Sequence, residues 1–307
     1  MEISAYTKEP LVFIILLNYN NISYTMECLK SLEKINYSNY KVTVIDNDSS
    51  DNSLDILYKY NGRTLNIIES NENLGFTGGN NLGIEYALKN DADYILLLNN
   101  DTIVLPDFLN PLIEQFAREP KCGITASLIY YLSDPGKVWY AGGKLNNWSA
   151  RSNHLSYNCT SYVQPQEPQE ITFATGCCMC ISREAINKIG CLDDDYFIYC
   201  DDLDYSYRAT SAGFKIYFVP QSVIYHNVST VFGENSPNFQ YLNIRNTLMF
   251  IRKNLSSIQK TSAYVYTIIL SAYKIFFLKN LKVKYFLLGL KAYLSRESGK
   301  PDLNQNL

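Results

Sequence analysis

Histidine is scarce in this sequence, with two residues among 307, and the eight cysteines form no paired framework. Cys177, Cys178 and Cys180 crowd into one apolar run, and no C-x-x-C pair recurs at the spacing of a zinc site. These features exclude a disulfide-rich scaffold. They predict buried, reduced thiols in a reducing compartment.

The sequence also lacks a secretory signal peptide and a long apolar run that could span a membrane. The apolar run Leu11–Leu17 leads into Asn18-Tyr19-Asn20 without a cleavage-type sequence, so we expect a cytoplasmic protein. The run Ala263–Leu278 is too short for a span of about 20 residues, and Lys274 interrupts it.

Charge is modest overall but unevenly distributed. The formal net charge is −3 and charged residues make up 19% of the chain, so we expect no nucleic-acid partner. Residues 251–300 contain ten Lys or Arg and one acid, whereas residues 1–250 contain seventeen Lys or Arg and twenty-eight acids. This asymmetry predicts an acidic body that handles cations and a basic tail that meets an anionic surface.

Short apolar runs alternate with helical patterns in the first hundred residues. The predicted strands are Leu11–Leu17, Lys41–Asp46, Leu65–Ile68 and Tyr94–Leu98, and the predicted helices are Ile22–Ile35, Ser53–Tyr60 and Gly78–Leu88. Such alternation predicts an α/β fold with right-handed crossovers and a mostly parallel sheet. Because ligands bind at the carboxyl ends of such strands, functional residues are expected there.

From about residue 122 the pattern changes to aromatic, strand-like segments followed by helices. The predicted strands are Ile124–Leu132, Val138–Leu145, Ile171–Ile181 and Lys215–Val219, with a loop over Asn153–Glu170. Helices are predicted over Arg183–Ile189, over Asp202–Ala212 with Gly213 closing it, and from about Pro237 onward. The 47% hydrophobic composition suffices for one large core and a smaller appendage.

Two polar segments in the first half are candidate ligand sites. Asp46 ends a strand, where a carboxylate can bind a nucleoside's base or ribose or can cap the helix Ser53–Tyr60. The glycines of the segment Asn71–Asn81 precede a helix, which permits either a phosphate close to the backbone or a plain turn. Their spacing is not that of a dinucleotide-binding fingerprint.

Asn99-Asn100-Asp101 follows a buried strand and is a candidate metal site. A carboxylate beside Asn carbonyls suits a hard divalent cation that retains waters and binds phosphate oxygens, although polar turns at strand ends are common. His226 is a structural histidine unless it converges with Asp101 on one metal ion.

Six aspartates fall within residues 193–204, among aromatic residues. Asp201 and Asp202 begin a predicted helix whose dipole should help keep a carboxylate ionised as a general base, and ordinary capping is the alternative. Asp204 and Arg208 lie four residues apart and should pair on one helix face.

Residues 257–295 are rich in Ile, Tyr, Phe and Leu with interspersed lysines. Tyr and Lys that flank aliphatic residues suit helices in a membrane interface, where anionic headgroups attract them. A helical cap on the catalytic domain or a homodimer contact is the alternative.

Taken in order, these segments resemble glycosyltransferase family 2, in its bacterial rhamnosyltransferase-like, surface-polysaccharide branch, over roughly residues 11–255. The motifs that carry the resemblance are Asn18-Tyr19-Asn20, Val44-Ile45-Asp46-Asn47, Asn73–Asn81, Leu98–Asp101, Thr175-Gly176, Ile189–Asp193, Phe197–Asp204, Arg208, Ala212-Gly213-Phe214, Val219-Pro220 and His226.

The resemblance implies a GT-A fold, with a Rossmann-like, mostly parallel sheet flanked by helices and a C-terminal helical extension. Residues 1–235 would form the catalytic domain, with a donor half over about 1–105 and an acceptor half over about 106–235. Residues 236–307 would form the basic, aromatic helical region.

The implied activity is inverting, metal-dependent transfer of a sugar from a nucleoside-diphosphate-sugar, dTDP-rhamnose or a UDP-sugar. The acceptor would be a hydroxyl of a polysaccharide or of a polyprenyl-pyrophosphate-linked sugar, in capsule or O-antigen synthesis. Together with the basic tail, this predicts a protein peripheral on the inner face of the plasma membrane, with Mn²⁺ or Mg²⁺ as cofactor.

The resemblance also implies roles for individual residues. Asp202 matches the general base, with Asp201 and Tyr199 on the acceptor side, and Asp101 and His226 match metal ligands. The residues implied to bind the nucleotide-sugar are Leu17, Asn18, Tyr19, Asp46, Asn73, Gly79, Asn80, Asn99, Asn100 and Arg245, the last of which would approach the diphosphate.

The sequence departs from the family pattern at two positions. Asn99 stands where many members have Asp, which removes a negative charge from the metal site. Asp201-Asp202 stands where Glu-Asp is common, which keeps both charges. The alternatives to a sugar transferase are a non-catalytic carbohydrate-binding or assembly subunit, for which Asn99 is the hint, and a nucleotidyltransferase. The latter would require a glycine-rich, basic loop after the first strand, where the chain has Asn18–Asn21.

Overall fold

The computed structural model describes residues 9–60, 65–228, 236–279 and 282–301. Within these ranges a ten-stranded mixed sheet is flanked by helices, which confirms the expected α/β class. The predicted helical tail includes residues 280–281 and 302–307, and the predicted boundary after residue 235 adjoins residues 229–235. All of these lie outside the described residues, and the division into domains stays a prediction.

The first part of the chain, which is the predicted donor half, forms one side of the sheet from parallel strands joined by helices. The strands are β1 (Val12–Asn18), β2 (Tyr40–Asp46), β3 (Leu65–Glu69) and β4 (Tyr94–Asn99), and the helices are α1 (Ile22–Leu32), α2 (Ser53–Lys59) and α3 (Gly75–Lys89). The strand order is β4-β1-β2-β3. The register pairs Asn18 with Asp46 and Leu17 with Asn99, so the polar ends of three strands lie side by side.

The acceptor half continues the same sheet in the order β10-β12-β6-β11-β4. Antiparallel β11 lies between β6 and β4, and β12 runs parallel to β6. The elements of this half are β5 (Thr102–Val104), α4 (Leu109–Arg118), β6 (Cys122–Tyr131), β7 (Val138–Tyr140), β8 (Gly143–Asn146), β9 (Arg151–His154), β10 (Gln169–Ile171), β11 (Cys178–Ser182), α5 (Arg183–Ile189), α6 (Asp201–Ser211) and β12 (Lys215–His226).

Three predicted strands have different bounds in the structure. Val138–Leu145 divides into β7 and β8, and Ile171–Ile181 divides into β10 and β11. The strand from Lys215 does not end at Pro220 but continues to His226, because a register shift between Val219 and Val223 accommodates the residue that lacks an N–H donor. Helix α4 has no counterpart among the predicted elements.

The C-terminal region consists of α7 (Pro237–Asn254), α8 (Ser257–Tyr273), a π-helical turn (Lys274–Leu278) and α9 (Val283–Leu294). Helix α7 contributes to the main core through Ile244, Leu248 and Ile251. Helix α8 has the opposite pattern, because its buried residues are the small Ala263, Thr267 and Ser271. Its large apolar residues are exposed, namely Ile258, Val265, Ile268 and Ile269.

None of the helices in the described part of the chain is long and apolar enough to cross a membrane.

Candidate active site

A buried hydrogen-bond network holds Asp46 at the end of β2. Its Oδ2 accepts from Asn18 Nδ2 at 2.9 Å, and its Oδ1 accepts from the backbone N of Ser49 at 3.0 Å. The hydroxyl of Thr25 donates to Asn18 Oδ1 at 2.7 Å, and Asn100 Nδ2 donates to that hydroxyl at 2.8 Å. Asn18 therefore contacts Asp46 directly and Asn100 is linked to it through Thr25 and Asn18, while the predicted contact of Asn18 and Asn100 with a nucleotide-sugar stays a prediction.

Asp46 does not cap the following helix. The backbone N of Ser53, the first residue of α2, instead donates to Asp51 Oδ1 at 3.0 Å. Among the nearby residues that were predicted to bind the nucleotide-sugar, Tyr19 is the most accessible, with 48% of its surface exposed. Contact of Asp46 and Tyr19 with a nucleotide stays a prediction.

The glycine-rich segment brings α3 close to the chain around residue 197. The backbone N of Phe76 and that of Thr77 donate to Phe197 O at 2.7 and 3.2 Å. Gly75 has φ of +73°, and a Cβ placed there would lie 2.4 Å from Phe197 O. The hypothesis that this helix N-terminus receives a phosphate is therefore not supported, because the Phe197 carbonyl occupies it.

Other residues of this segment also have packing roles. A Cβ on Gly79 would lie 2.3 Å from Leu17 Cδ1, so the absent side chain lets α3 pack against β1. Asn73 Oδ1 accepts from Asn47 Nδ2 at 3.1 Å and from the backbone N of Gly75, and Asn80 Nδ2 donates to a carbonyl within α3. Their contact with a nucleotide-sugar stays a prediction.

The loop of residues 196–200 precedes Asp201 and Asp202 and has an unusual backbone. Phe197, Tyr199 and Cys200 have φ of +64°, +69° and +63°, in the left-handed region that non-glycine residues rarely adopt. Such strain persists only where surrounding contacts enforce it, and it concentrates at functional sites. Here Asn246 supplies the contacts. Its Nδ2 lies within 3.0 Å of three backbone carbonyl oxygens, those of Tyr196, Ile198 and Tyr199.

Arg245 supports the same loop, which corrects the predicted approach to a diphosphate. Its Nε donates to Asn246 Oδ1 at 2.9 Å, and its Nη2 donates to Tyr196 O at 3.1 Å. The side chain is 1% exposed. Because the guanidinium is enclosed in the protein, its role is to orient the Asn246 amide and hold the 196–200 loop.

Asp202 has the properties of a general base. Its Oδ2 accepts from the backbone N of Gly176 at 3.2 Å, and its Oδ1 accepts from that of Leu203 at 2.8 Å. Burial nevertheless raises the pKa of Asp202 to about 6. The expected stabilisation of the ionised form by the helix terminus is thus outweighed, and the carboxylate titrates close to neutral pH.

Asp201 differs from its neighbour because it is 5% exposed. Burial, and then the charge of Asp202, raise the pKa of Asp201 well above its ordinary value. Two adjacent carboxyl groups with such different burial rarely ionise together, so Asp201 stays protonated when Asp202 is charged. Asp202 is therefore the better base of the two.

The remaining aspartates of the acidic segment make structural contacts. Asp204 Oδ2 accepts from Arg208 Nε at 2.7 Å, which confirms that predicted pair. Lys253 Nζ lies 2.5 Å from a carboxylate oxygen of Asp193 and of Asp195, which ties the segment to α7.

Asp101 and His226 converge, as a shared metal site requires. His226 pairs with Thr102 across the β5–β12 ladder, and His226 Nε2 lies 3.1 Å from Asp101 Oδ1. That oxygen is buried and has no hydrogen-bond donor. A carboxylate oxygen beside an imidazole nitrogen fits a divalent ion such as Mn²⁺. No third His, Cys, Asp or Glu in the described ranges completes the set, so such an ion would need substrate oxygens or water as well.

Asp201, Asp202 and His226 line one cavity of about 550 Å³, whereas Asp46 and Asp101 are not among its lining residues. Predicted residues that line it are Asn99, Tyr199, Asp201, Asp202 and His226, together with Gly176 of the Thr175-Gly176 motif. Other lining residues were not predicted, namely Trp139, Arg151, His154, Phe239 and Lys274. The adjacent aromatic residues Trp139 and Tyr140 were the sequence feature that could have indicated this wall.

Solved structures share this fold. A mannosyltransferase from Pyrobaculum calidifontis, PcManGT, solved in complex with GDP-Man and Mn²⁺, superposes with a TM-score of 0.62 at 14% identity, over 95% of this chain and 89% of that one. The similarity confirms the expected GT-A fold.

Sequence relatives match at low identity. A Mycobacterium tuberculosis protein named N-acetylglucosaminyl-diphospho-decaprenol L-rhamnosyltransferase is 24% identical over 171 residues, which cover 52% of this chain and 55% of that protein. The match thus spans about half the length of that relative. Rhamnosyltransferase WbbL of Escherichia coli K12 is 27% identical over 226 residues, 68% of this chain and 81% of that protein.

The family model "Glycosyl transferase family 2" matches residues 13–190, which is more than half of the chain. This range contains all but the first residue of β1, the whole of β2 to β4, Asp46 and Asp101, and it ends before the 196–200 loop and Asp202 of α6. The chain belongs to glycosyl transferase family 2.

Proposed function

We propose that this protein transfers a sugar, with inversion, from a nucleoside-diphosphate-sugar to an acceptor hydroxyl. The observation that carries the proposal is that a candidate general base and a candidate metal ligand line the same cavity. Asp202, with its pKa raised to about 6, and His226, paired with Asp101, both belong to it. Family membership and the relatives named as sugar transferases support the same activity.

In the proposed reaction Asp202 removes the proton of the acceptor hydroxyl. The acceptor oxygen forms a bond to the anomeric carbon while the bond from that carbon to the diphosphate oxygen breaks, and the nucleoside diphosphate leaves with the electron pair. A positioned general base contributes about 10²–10⁴-fold to such a step. With a pKa of about 6, most Asp202 is ionised at pH 7.

Asp101 and His226 would hold the divalent ion, Mn²⁺ or Mg²⁺. When bound, such an ion offsets the negative charge that develops on the leaving diphosphate. Asn99 lines the same cavity and contributes an amide where many members have a carboxylate, so the protein supplies one negative charge to the ion.

We propose a polyprenyl-pyrophosphate-linked acceptor in bacterial surface-polysaccharide synthesis, with dTDP-rhamnose or a UDP-sugar as donor. The names of the M. tuberculosis and E. coli relatives support this choice. The exposed apolar side of α8, where Ile268 and Ile269 are 60% and 62% exposed, suits a membrane interface next to basic residues. The protein would then lie on the inner face of the plasma membrane.

A panel of nucleotide-sugars, read out by released nucleoside diphosphate, tests the activity. We expect release from dTDP-rhamnose or a UDP-sugar that depends on Mn²⁺ or Mg²⁺ and increases with acceptor. If no donor is consumed, the chain is a non-catalytic assembly subunit. Release of inorganic pyrophosphate from a nucleoside triphosphate would indicate a nucleotidyltransferase instead.

Vesicle flotation tests the membrane surface. We expect the full chain to float with vesicles that contain phosphatidylglycerol and not with neutral vesicles, and the double variant Ile268→Gln/Ile269→Gln to remain at the bottom. The control is Val163→Gln, which changes an exposed apolar residue outside α8. If the double variant floats like the wild type, and light scattering shows a dimer for the wild type but a monomer for the variant, α8 is a homodimer contact.

A further inference from the structure

One cation in the cavity has no counterion. Arg151 lines the cavity, and its Nε is buried without a hydrogen-bond partner. It takes part in none of the ion pairs formed among the described residues. The neighbours with which its charge interacts are the Cys200 thiol and the Tyr266 phenol, which are not carboxylates.

Such an arrangement is costly unless a ligand completes it. A charged group withdrawn from water needs an opposite charge or hydrogen bonds, and burial indeed lowers the pKa of Arg151 from its ordinary value. The cavity acids do not fill this role, because no oxygen of Asp201 or Asp202 lies within 4.0 Å of the guanidinium. An anion that enters the cavity from outside would supply the missing partner.

A rigid hairpin holds Arg151 in this position. Arg151 begins β9 and pairs with Asn146 of β8. The hairpin is fastened to the main sheet, since the backbone N of Leu145 donates to Thr172 Oγ1 at 2.8 Å. A guanidinium on a fixed element is suited to bidentate binding of phosphate oxygens.

A second cation, contributed by the C-terminal region of the chain, lines the same cavity. Lys274 is the first residue of the π-helical turn that follows α8. Such turns are frequent at functional sites. Two cations, one from the β8–β9 hairpin and one from the C-terminal helical region, thus line the same cavity.

We infer that Arg151, with Lys274, binds the phosphate group that joins the acceptor sugar to its lipid. This inference rests on the proposed sugar transfer. The acceptor is favoured over the donor because the donor's diphosphate already has the Asp101–His226 site for its ion. In addition, Tyr266, which interacts with Arg151, lies on α8, the helix with exposed aliphatic residues that suit a lipid.

The test compares two synthetic acceptors with the same sugar and the same short alkyl chain, one joined through pyrophosphate and one through a plain glycosidic link. Kinetics are measured for the wild type, for Arg151→Gln, and for Lys144→Gln, which removes an exposed cation from the same hairpin. We expect Arg151→Gln to raise KM for the pyrophosphate acceptor about 10- to 100-fold, the range of a charge-assisted phosphate contact. KM for the plain acceptor and for the donor should change less than about threefold.

Other outcomes overturn the inference. If Arg151→Gln raises the donor KM and leaves discrimination between the acceptors intact, the anion belongs to the donor. If the wild type does not discriminate between the acceptors, no acceptor phosphate is bound.

Direct binding separates this inference from the proposed function. Calorimetry with the alkyl pyrophosphate in EDTA, which removes any bound ion, should show binding by the wild type and by Lys144→Gln, and at least tenfold weaker binding by Arg151→Gln. Absence of wild-type binding overturns the inference even if sugar transfer is observed. Binding without transfer to any acceptor overturns the proposed function alone.

Discussion

Replacing Asp202 with Asn should abolish transfer and, above pH 6, stabilise the fold. The amide keeps the shape of the side chain but cannot accept a proton, so turnover should fall about 10²- to 10⁴-fold. In the wild type, a base with a pKa of about 6 is about nine-tenths ionised at pH 7 and about one-tenth ionised at pH 5. Wild-type turnover should therefore fall nearly tenfold between these values.

The effect on stability follows from the same pKa. The value rises from an ordinary 3.8 to about 6 in the folded protein, so ionisation of Asp202 opposes folding. The favourable contribution of the protonated form is complete below about pH 4 and is lost as the pH rises through 6. The resulting cost in free energy of unfolding is about 3 kcal/mol at pH 8 and roughly half as much at pH 5.

Asp202→Asn removes this cost but also removes one acceptor for the backbone N of Gly176 or Leu203, a loss of about 1 kcal/mol at any pH. The variant should thus be more stable than the wild type by about 2 kcal/mol at pH 8, and the two proteins should have nearly equal stability at pH 5. Urea unfolding of both proteins at the two pH values measures this difference.

Asp201→Asn is the matched control. Asp201 is buried and protonated when Asp202 is charged, so an amide should replace it with less than about a tenfold loss of turnover. Wild-type turnover in Asp202→Asn, or loss of activity only in Asp201→Asn, would show that the base is assigned to the wrong residue. A stability difference that does not change between pH 5 and pH 8 would refute the raised pKa.

Three further predictions follow from the contacts of the site. Asn246→Ala should lower the free energy of unfolding by about 2–4 kcal/mol and turnover with it, because the carbonyls of Ile198 and Tyr199 lose their side-chain donor and that of Tyr196 loses one of its donors. Urea unfolding and kinetics at saturating nucleotide-sugar check this, and unchanged values would contradict the role of Asn246. Gly75→Ala should lower the free energy of unfolding by at least about 2 kcal/mol, since the φ of residue 75 is +73° and the added Cβ would meet Phe197 O. An unchanged melting temperature would exclude that close approach. Asp101→Ala should weaken donor binding in the presence of Mn²⁺ but not in EDTA, and calorimetry that shows equal losses in both would assign Asp101 a role without metal.

The regular part of the fold was predictable because strong local patterns determine it. Strands β1, β2 and β4 are largely buried apolar runs and β3 is a half-buried one, and the predicted bounds of all four differ from the observed ones by one residue at most. The prediction of α5 matches its observed bounds, since Ser182 caps it and Gly190 follows it. The convergence of Asp101 and His226 was also predictable, but only through the family pattern, since 125 positions separate them in the sequence.

Contacts between distant segments account for the parts that were not predicted. For the glycines of α3 a phosphate site and a plain turn stayed open, because sequence shows an open backbone but not what approaches it, and here the Phe197 carbonyl does. Arg245 was assigned to a diphosphate because a charged residue in a family motif suggests a ligand. Arg151 has no motif at all, and only its position in the cavity identifies it.

These contacts also link the proposed general base to the first half of the sheet. The 196–200 loop precedes Asp202 and its Phe197 carbonyl binds the N-terminus of α3, while Gly79 of α3 packs against Leu17 beside the buried Asn18–Asp46 pair. The segment before Asp202 is thus positioned by α3 on one side and by Asn246 of α7 on the other. Substitutions in either set should therefore alter turnover without touching a substrate, because each acts on the geometry of one strained backbone segment.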